Sequence, residues 1–98
     1  MSGKTIQLRP KAYKDIEQIY HYSVTRWGEA RAELYISDLN DTFEVLAETP
    51  NIGRDCGFIR PNLFSCSVVS HVVFYKATVT GIAVIRVLHK SMDHMRHI

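Results

Sequence analysis

Basic and titratable side chains are concentrated near the end of the sequence, where the stretch AVIRVLHKSMDHMRHI combines an apolar run with Arg86, His89 and Lys90. A ribonuclease that works without a metal needs cations on the scissile phosphate, together with a general base and a general acid. Arg86, His89 and Lys90, with Tyr75 from a neighbouring segment, could supply these groups. RNA cleavage is therefore the first chemistry that these residue types suggest.

The spacing of Arg86 and His89 argues against a shared site. They are three residues apart, so on a regular strand their side chains point to opposite faces of the sheet. They would meet only if the strand ended or bent before His89. The alternative is structural: Arg86 extends to a carboxylate on a helix, and His89 marks the end of the strand. Spacing alone favours this second interpretation, and we assign no catalytic residue.

Metal binding and thiol chemistry have weaker support. The tail residues Asp93, His94 and His97 could cluster on one turn, but nothing in the sequence fixes their geometry, so no metal site and no cofactor is predicted. Cys56 and Cys66 form no CxxC pair. Without an apolar leader at the start of the chain, they indicate reduced thiols in a cytoplasmic protein. The longest apolar run is too short to span a membrane.

The net charge of +2 hides an asymmetry between the two halves of the chain. Residues 1–50 hold six Lys/Arg against eight Asp/Glu, whereas residues 51–98 hold six against two. The halves therefore carry −2 and +4, and four of the five histidines lie in the basic half. This pattern suggests an anionic partner for the second half, either nucleic acid or an acidic protein segment. A chance imbalance among surface residues would look the same.

Two amphipathic helices follow a short first strand. Alternation in KTIQLRP predicts the strand, and Pro10 suits the first turn of a helix. Gly28 separates the two helices, so we expect an antiparallel hairpin that ends before Pro50. Their apolar positions recur at spacings of three and four: Ile16, Ile19, Tyr20, Val24 and Trp27, then Ala32, Tyr35, Ile36, Leu39, Phe43, Leu46 and Ala47.

Trp27 lies at the tip of the predicted hairpin and has two interpretations. It fills the core where the helices turn, or it is an exposed aromatic anchor of the kind enriched at binding hot spots. Packing in the core is the more common outcome for a residue of this hydrophobicity.

Three strands follow the loop PNIGRDCGFIRPN, after which the hydrophobic period changes to two. The segments FSCSV, HVVFYKA and IAVIRVLH read as consecutive antiparallel strands, with Gly81 in the last turn. The order β-α-α-β-β-β predicts one α+β domain over residues 1–98, a helical hairpin packed on one face of a small antiparallel sheet. The first strand must join an edge, and the other sheet face lacks an obvious cover. An uncovered face beside a basic tail is a natural docking surface.

Four stretches in this order resemble the ParE toxins of bacterial type II toxin–antitoxin modules, within the RelE/ParE superfamily. They are LRPKAYKDIEQIYHYSVTRWG, LAETPNIGRDCGFIRPNL, SHVVFYK and IRVLHKSMD. The resemblance covers nearly the whole chain and implies the strand–helix–helix–three-strand fold of that superfamily. It also implies a cytoplasmic toxin that inhibits DNA gyrase, and so blocks replication, without catalysis of its own.

The same resemblance implies a ParD-like antitoxin as the neutralising partner. In such modules a flexible, often acidic C-terminal segment of the antitoxin wraps the toxin in a hetero-oligomer. We expect neither a membrane association nor sequence-specific nucleic-acid binding. The family's closing signature and the hairpin tip imply partner-binding roles for six residues: Trp27, Arg86, His89, Lys90, Met92 and Asp93.

Two other functions stay open. The superfamily also contains ribosome-dependent mRNA endonucleases, whose basic residues lie on the sheet and near the C-terminus. This sequence departs from a dense basic set, since Phe64-Ser65-Cys66-Ser67 supplies no cation, and Asn62-Leu63-Phe64 replaces the Gly-Leu-Arg or Gly-Tyr-Arg of ParE-like chains. The other alternative is a degenerate, non-toxic module that only binds an antitoxin.

Overall fold

The protein is an α+β structure in which two long antiparallel helices pack on one face of a five-stranded sheet. The computed structural model describes residues 3–98. The elements are β1 Thr5–Leu8, α1 Pro10–Trp27, α2 Glu29–Glu48, β2 Arg54–Asp55, β3 Phe64–Val68, β4 His71–Ala77, β5 Gly81–His89 and α3 His94–His97. The sheet order is β1-β5-β4-β3-β2, and a 3-10 turn at Pro50–Ile52 follows α2. The predicted class and the predicted order of the main elements are confirmed.

The direction of β1 differs from the prediction of a wholly antiparallel sheet. β1 joins the edge beside β5 and runs parallel to it, with Thr5 opposite Gly81 and Leu8 opposite Val84. Alternation in a four-residue strand indicates which side chains face the core, but not which way the strand runs. Gly81 is needed here, because a Cβ at this position would collide with the backbone of Thr5.

The helical hairpin forms as expected from the sequence. Gly28 alone separates the helices and has φ of 92°, which a residue with a side chain adopts only with strain. The apolar faces of α1 and α2 bury against the sheet, with Leu39 and Leu46 fully inaccessible. They pack with Val73, Tyr75 and Val84 from the strands and with other residues in the main core. No helix within residues 3–98 has both the length and the hydropathy to cross a bilayer.

The second sheet face is covered, contrary to the expectation of an open surface. Phe74 and Leu88 on that face pack with the buried residues Cys56 and Leu63 of the loop before β3. Ile98 packs against the same cluster from the tail. The hydrophobic residues of the loop and the tail do not recur at regular spacings, so the sequence could not predict that they cover this face. Both cysteines are free thiols, and that of Cys56 donates to Ser65 Oγ at 3.2 Å.

The turn between β3 and β4 contains a backbone outlier. In the β3–β4 hairpin, Phe64 lies opposite Tyr75 and Val68 lies opposite His71, so Val69 and Ser70 form the turn. Val69 has φ of 52°. Hairpin turns of two residues need such a conformation, but Gly and Asn adopt it with far less strain than a β-branched residue. Strain of this kind costs about 1 to 3 kcal/mol. Val69 nevertheless has two thirds of its surface exposed, at 67%.

Candidate functional site

Asp15 closes the edge of the sheet where β1 stops. The last backbone bond of that edge runs from Arg9 N–H to the Val84 carbonyl at 3.0 Å, after which the chain turns into α1. Beyond it, Asp15 on α1 accepts the N–H of Val87 at 2.9 Å. The carboxylate thus accepts an N–H of β5 that lies beyond the end of β1 and has no strand partner on this side. The carboxylate is nearly buried.

Arg86 binds the same carboxylate through two nitrogens. Its Nε lies 2.8 Å from Oδ2 of Asp15, and its Nη2 lies 2.9 Å from Oδ1. The bonds to Asp15 raise the pKa of the Arg86 guanidinium, against the effect of burial. The third nitrogen, Nη1, donates to the His97 carbonyl at 2.6 Å. The predicted pairing of Arg86 with a helix carboxylate is confirmed, and its guanidinium links α1, β5 and α3.

A bulge in β5 lies just before Arg86, so the strand is regular from Arg86 to His89. The register places Arg86 opposite Phe74 and His89 opposite His71, with the shift between Phe74 and Tyr75. Their backbones therefore present the two side chains to opposite faces, as the odd spacing predicts. Arg86 then reaches over the open strand edge to Asp15.

The segment after β5 forms a turn stabilised by its own side chains. His89 Nδ1 lies 2.8 Å from Ser91 Oγ, and Ser91 N–H donates to the same nitrogen at 3.1 Å. Lys90 and Asp93 are exposed. Met92, 37% exposed, lines a groove with Arg86 and His89. The predicted segment is therefore accessible, but its members do not converge on one point.

Trp27 is half exposed rather than buried in the core. Its accessible fraction is 52%, and its ring lies edge-to-face with that of Tyr22 at 6.1 Å between centroids. The interpretation of Trp27 as a core residue is wrong, because Trp27 is the last residue of α1 and its ring stays exposed at the turn between the helices. The alternative, an aromatic at the exposed hairpin tip, agrees with the structure.

An open cleft of about 580 Å³ lies between the hairpin tip and the β3–β4 turn, and brings Trp27 and His89 to one surface. Arg86 is absent from its lining among the described residues, and so are Lys90, Met92 and Asp93. The lining comprises Tyr22, Ser23, Arg26, Trp27, Arg31, Leu34, Tyr35, Asp38, Val69, Ser70, His71 and His89.

His71 and Tyr35 form the floor of this cleft and were missed by sequence reasoning. The Tyr35 hydroxyl lies 2.6 Å from His71 Nδ1 and 3.1 Å from the carbonyl of Val68, to which it donates. Since the hydroxyl has one proton, Nδ1–H of His71 then donates to the Tyr35 oxygen. The helical spacing identified Tyr35 only as an apolar position of α2, and the strand pattern identified His71 only as the start of a strand. Neither pattern shows that the two side chains form a hydrogen bond between helix and sheet.

The electrostatics of the floor keep His71 neutral at physiological pH. Burial, together with the nearby His89, lowers the pKa of His71 to about 4, and Asp15 opposes this only in part. The rings of His71 and His89 lie 5.3 Å apart and nearly perpendicular. Burial also raises the pKa of the Tyr35 hydroxyl. A neutral imidazole here can accept or donate a hydrogen bond, but it brings no charge to an anion.

Metal binding finds no support in the part of the chain that the structure describes. No group of three or more His, Cys, Asp or Glu side chains among residues 3–98 is placed to hold an ion. The tail histidines have other contacts: His94 packs on Phe74 with ring centroids 5.1 Å apart, and its Nε2 lies 3.1 Å from the His89 carbonyl.

Comparisons with known proteins agree with this architecture. A family model described as "ParE toxin of type II toxin-antitoxin system, parDE" matches residues 6–94. The chain belongs to the ParE toxin family. It is 40% identical to Toxin ParE1 of Mycobacterium tuberculosis over 92 residues, which cover 93% of this chain and 94% of the relative. It is 38% identical to Toxin ParE1 of Caulobacter vibrioides over 95 residues, covering 97% and 98%.

A solved structure shows the same fold at low sequence identity. A chain described as "Chromosomal ParDE TA system from P. aeruginosa" superposes with a TM-score of 0.74 and 16% identity, covering 91% of this chain and 98% of that one. The protein is thus a ParE toxin of a type II toxin–antitoxin system by family. Its candidate surface is a cleft between the helices and the sheet, with the Asp15–Arg86 pair as a structural support beside it.

Proposed function

We propose that this ParE toxin inhibits DNA gyrase by binding it, so that replication stops, and that a ParD-like antitoxin neutralises the toxin by binding in turn. Membership of the ParE family supports both parts of this proposal. The fold shared with a chain of a ParDE system supports an antitoxin partner. On this proposal the toxin works in the cytoplasm, and its resting form is a hetero-oligomer with the antitoxin.

The engagement of Arg86 is the observation that carries a non-catalytic mechanism. Its guanidinium is bonded to the Asp15 carboxylate and to the His97 carbonyl. A ribonuclease site would need this cation free beside His89, to stabilise charge on a phosphate. Breaking the Asp15 pair to free it would leave a nearly buried carboxylate unpaired, which is costly. Binding without chemistry therefore fits the geometry better.

One observation favours a second candidate, an mRNA endonuclease. His71 and His89 lie 5.3 Å apart, and Arg26 and Arg31 line the same cleft. Two imidazoles and two guanidinium groups are the types of residue that acid–base cleavage of RNA requires. However, His71 is neutral, half-buried and hydrogen-bonded to Tyr35, which favours a structural role for His71.

Two assays run side by side with the purified protein separate these candidates. One follows the supercoiling of relaxed plasmid by gyrase, and the other follows a defined mRNA on translating ribosomes with its ends mapped. We expect loss of supercoiling, or accumulation of cleaved DNA, together with intact mRNA. Cut mRNA with normal supercoiling would contradict the proposal and establish the nuclease. No effect in either assay would indicate a degenerate module that only binds antitoxin.

The neutralisation arm uses the same supercoiling assay. Purified ParD-like antitoxin, added in rising amounts, should restore supercoiling at a fixed molar ratio to the toxin. Serum albumin at equal concentration is the control for unspecific protection. If the antitoxin bound the toxin and supercoiling stayed inhibited, neutralisation by binding would be wrong.

A further inference from the structure

A pocket of about 370 Å³ lies where β1 leads into α1, and basic side chains from three parts of the chain line it. Arg9 and Lys11 flank Pro10, the first residue of α1, while Arg60 belongs to the loop before β3 and Arg86 to β5. Its described lining includes no aspartate or glutamate. We call this concave surface, with its four cations, the basic pocket. Like charges that share one concave surface repel one another, so an anion from outside would stabilise them.

Two of the four cations are held in place by the toxin itself. Arg86 is paired with Asp15, so its charge is compensated. Arg60 Nη2 donates to the main-chain oxygen of Ile98 at 2.9 Å, which fixes the half-buried guanidinium at the wall of the pocket. A guanidinium that is already oriented loses little conformational entropy when it binds a ligand. Arg60 is therefore prepared to receive an anion.

Arg9 and Lys11 gain no such support. Both side chains are exposed, and neither takes part in an ion pair within residues 3–98. They lie at the N-terminal end of α1, where the helix dipole disfavours cations and favours carboxylates. The first turn of α1 contains no acid, and Arg9 at the N-cap makes no capping hydrogen bond with its side chain. Two cations that oppose helix stability and gain nothing inside the protein indicate a contact outside it.

The lining of the basic pocket indicates which kind of anion it suits. Guanidinium and ammonium groups bind phosphate oxygens, and arginine does so through two nitrogens at once. Single strands and free nucleotides are usually held by bases that stack on aromatic rings. No Phe, Tyr or Trp is among the described lining residues. Cations without such a stacking surface match a duplex, which presents its phosphates and keeps its bases inside.

We propose that the basic pocket binds the phosphodiester backbone of double-stranded DNA, independently of its sequence, through Arg9, Lys11 and Arg60. The inference rests on the proposed inhibition of gyrase, an enzyme that holds a DNA duplex while it works. The toxin then contacts this duplex as well as the enzyme. Because the two contacts are made together, the toxin binds gyrase loaded with DNA more tightly than gyrase alone.

Charge reversal at the start of α1 separates DNA binding from folding. The double variant Arg9→Glu/Lys11→Glu places carboxylates where the helix dipole favours them, so it should unfold at the same temperature as the wild type or higher. Its affinity for a short labelled DNA duplex, measured by fluorescence anisotropy at low salt, should fall by about tenfold or more.

The matched control is Arg54→Glu/Lys76→Glu. It makes the same change in net charge on β2 and β4, outside the described lining of the basic pocket. Its affinity for the duplex should stay close to that of the wild type. Equal losses in the control and in Arg9→Glu/Lys11→Glu would mean that net charge alone attracts DNA, and the basic pocket would be rejected as a site.

The dependence of binding on salt counts the phosphate contacts. Each contact contributes about −0.9 to the slope of log K against log salt concentration, so three contacts predict a slope of about −2.7 for the wild type. Loss of two contacts in Arg9→Glu/Lys11→Glu should make this slope shallower by about two. An unchanged slope would show that these two cations touch no phosphate, against the inference.

The supercoiling assay connects the basic pocket with gyrase. Arg9→Glu/Lys11→Glu should need about tenfold more protein than the wild type for the same inhibition, since it lacks the contact with DNA. If it inhibited equally well while binding free duplex more weakly, the link between the pocket and inhibition would be wrong. If the wild type bound duplex through the pocket and left supercoiling unaffected, the proposed inhibition of gyrase would fail and the DNA site would stand.

Two further results would overturn the assignment of DNA as the ligand. Equal affinities of Arg9→Glu/Lys11→Glu and the wild type for the duplex would exclude the basic pocket. Tighter binding of single-stranded RNA, or of polyglutamate as an acidic polypeptide, would assign the pocket to that polymer instead. Both are added as competitors of the labelled duplex at the same concentration of negative charge.

Discussion

The carboxylate of Asp15 binds both Nε and Nη2 of Arg86, across 71 residues of sequence, at 2.8 and 2.9 Å. The two side chains are only 10% and 15% exposed. The same carboxylate accepts the N–H of Val87, so the pair compensates for the absence of β1 along the far part of β5. Its role is to hold α1 against the sheet and the tail against Arg86.

Removing one member of this pair should destabilise the toxin strongly. Asp15→Ala leaves a nearly buried guanidinium and a strand N–H without their acceptor. We expect a loss of about 3 kcal/mol in the free energy of unfolding. This corresponds to a drop in Tm of roughly 10 to 20 °C for a domain of this size. Urea denaturation followed by circular dichroism measures it.

A double-mutant cycle provides the control for that prediction. Asp15→Ala and Arg86→Met, alone and combined, should show a coupling of about 1 to 3 kcal/mol, because the double variant buries no unpaired charge. Strictly additive effects would mean that the two side chains act independently, against the geometry.

The orientation of α2 predicts opposite outcomes for two leucines on the same helix. Leu39 is fully buried against the sheet, whereas Leu34 is 66% exposed. Leu39→Asp should prevent folding or lower Tm severely, since it places a charge in the core. Leu34→Asp should change stability by less than about 1 kcal/mol. Thermal melts of the pair decide, and an unchanged midpoint for L39D would make the assigned helix face wrong.

Trp27 offers a spectroscopic measurement, because it is the single tryptophan of the chain. Its half-exposed ring should give red-shifted emission that iodide quenches readily. Trp27→Ala should cost less than about 1 kcal/mol of stability, in contrast to the 2 to 5 kcal/mol typical of truncating a buried side chain such as Leu39. Blue-shifted emission that resists quenching would restore the interpretation of Trp27 as a core residue.

His71 should make stability depend on pH between about 4 and 6.5. Its folded pKa of about 4 lies below the ordinary value of 6.5, so in this window the unfolded chain binds a proton that the folded chain does not. The contribution is complete above pH 6.5 and is lost as the pH falls towards 4. Solvent reaches this half-buried ring, so we expect about 1 to 2 kcal/mol.

The variant His71→Gln isolates this contribution. Gln does not titrate, so the stability of H71Q should vary less with pH than that of the wild type over this window. The neighbours of the ring, His89 on β5 and Asp15 on α1, are present in both proteins. Parallel curves would mean that other groups cause the acid sensitivity.

The sequence predicted those parts of the fold that follow from periodicity. Helical spacing identified the buried face of α2, and Gly28 identified the link between the two helices. For α1 it identified Ile19, whereas Ala12, Asp15 and Ser23, which are also buried, were not among the predicted apolar positions. The parallel pairing of β1 was not predictable, because a four-residue strand carries no information on direction. The cover of the second sheet face was missed as well, since Leu63 and Ile98 lie in segments without a period.

The residues of the candidate site that could be predicted are those whose residue type alone suggests a functional role. Trp27 and His89 were identified and lie in the same cleft. Val69, Tyr35 and His71 were missed, because turn conformation and contacts between helix and sheet depend on tertiary structure. Arg86 was recognised as unusual, and a structural pairing with a helix acid was among its predicted roles. Asp15 itself could not be identified, since several acids lie on the two helices.

The pairing of Thr5 with Gly81 has a consequence for how the toxin is made in the cell. β1 leaves the ribosome before its partner β5, which is made only after residues 9–80. Contacts between such distant segments slow folding, because a long loop must close first. A growing chain therefore holds its helices without a completed sheet until β5 has been synthesised. The toxin should therefore complete its five-stranded sheet only after β5 has left the ribosome.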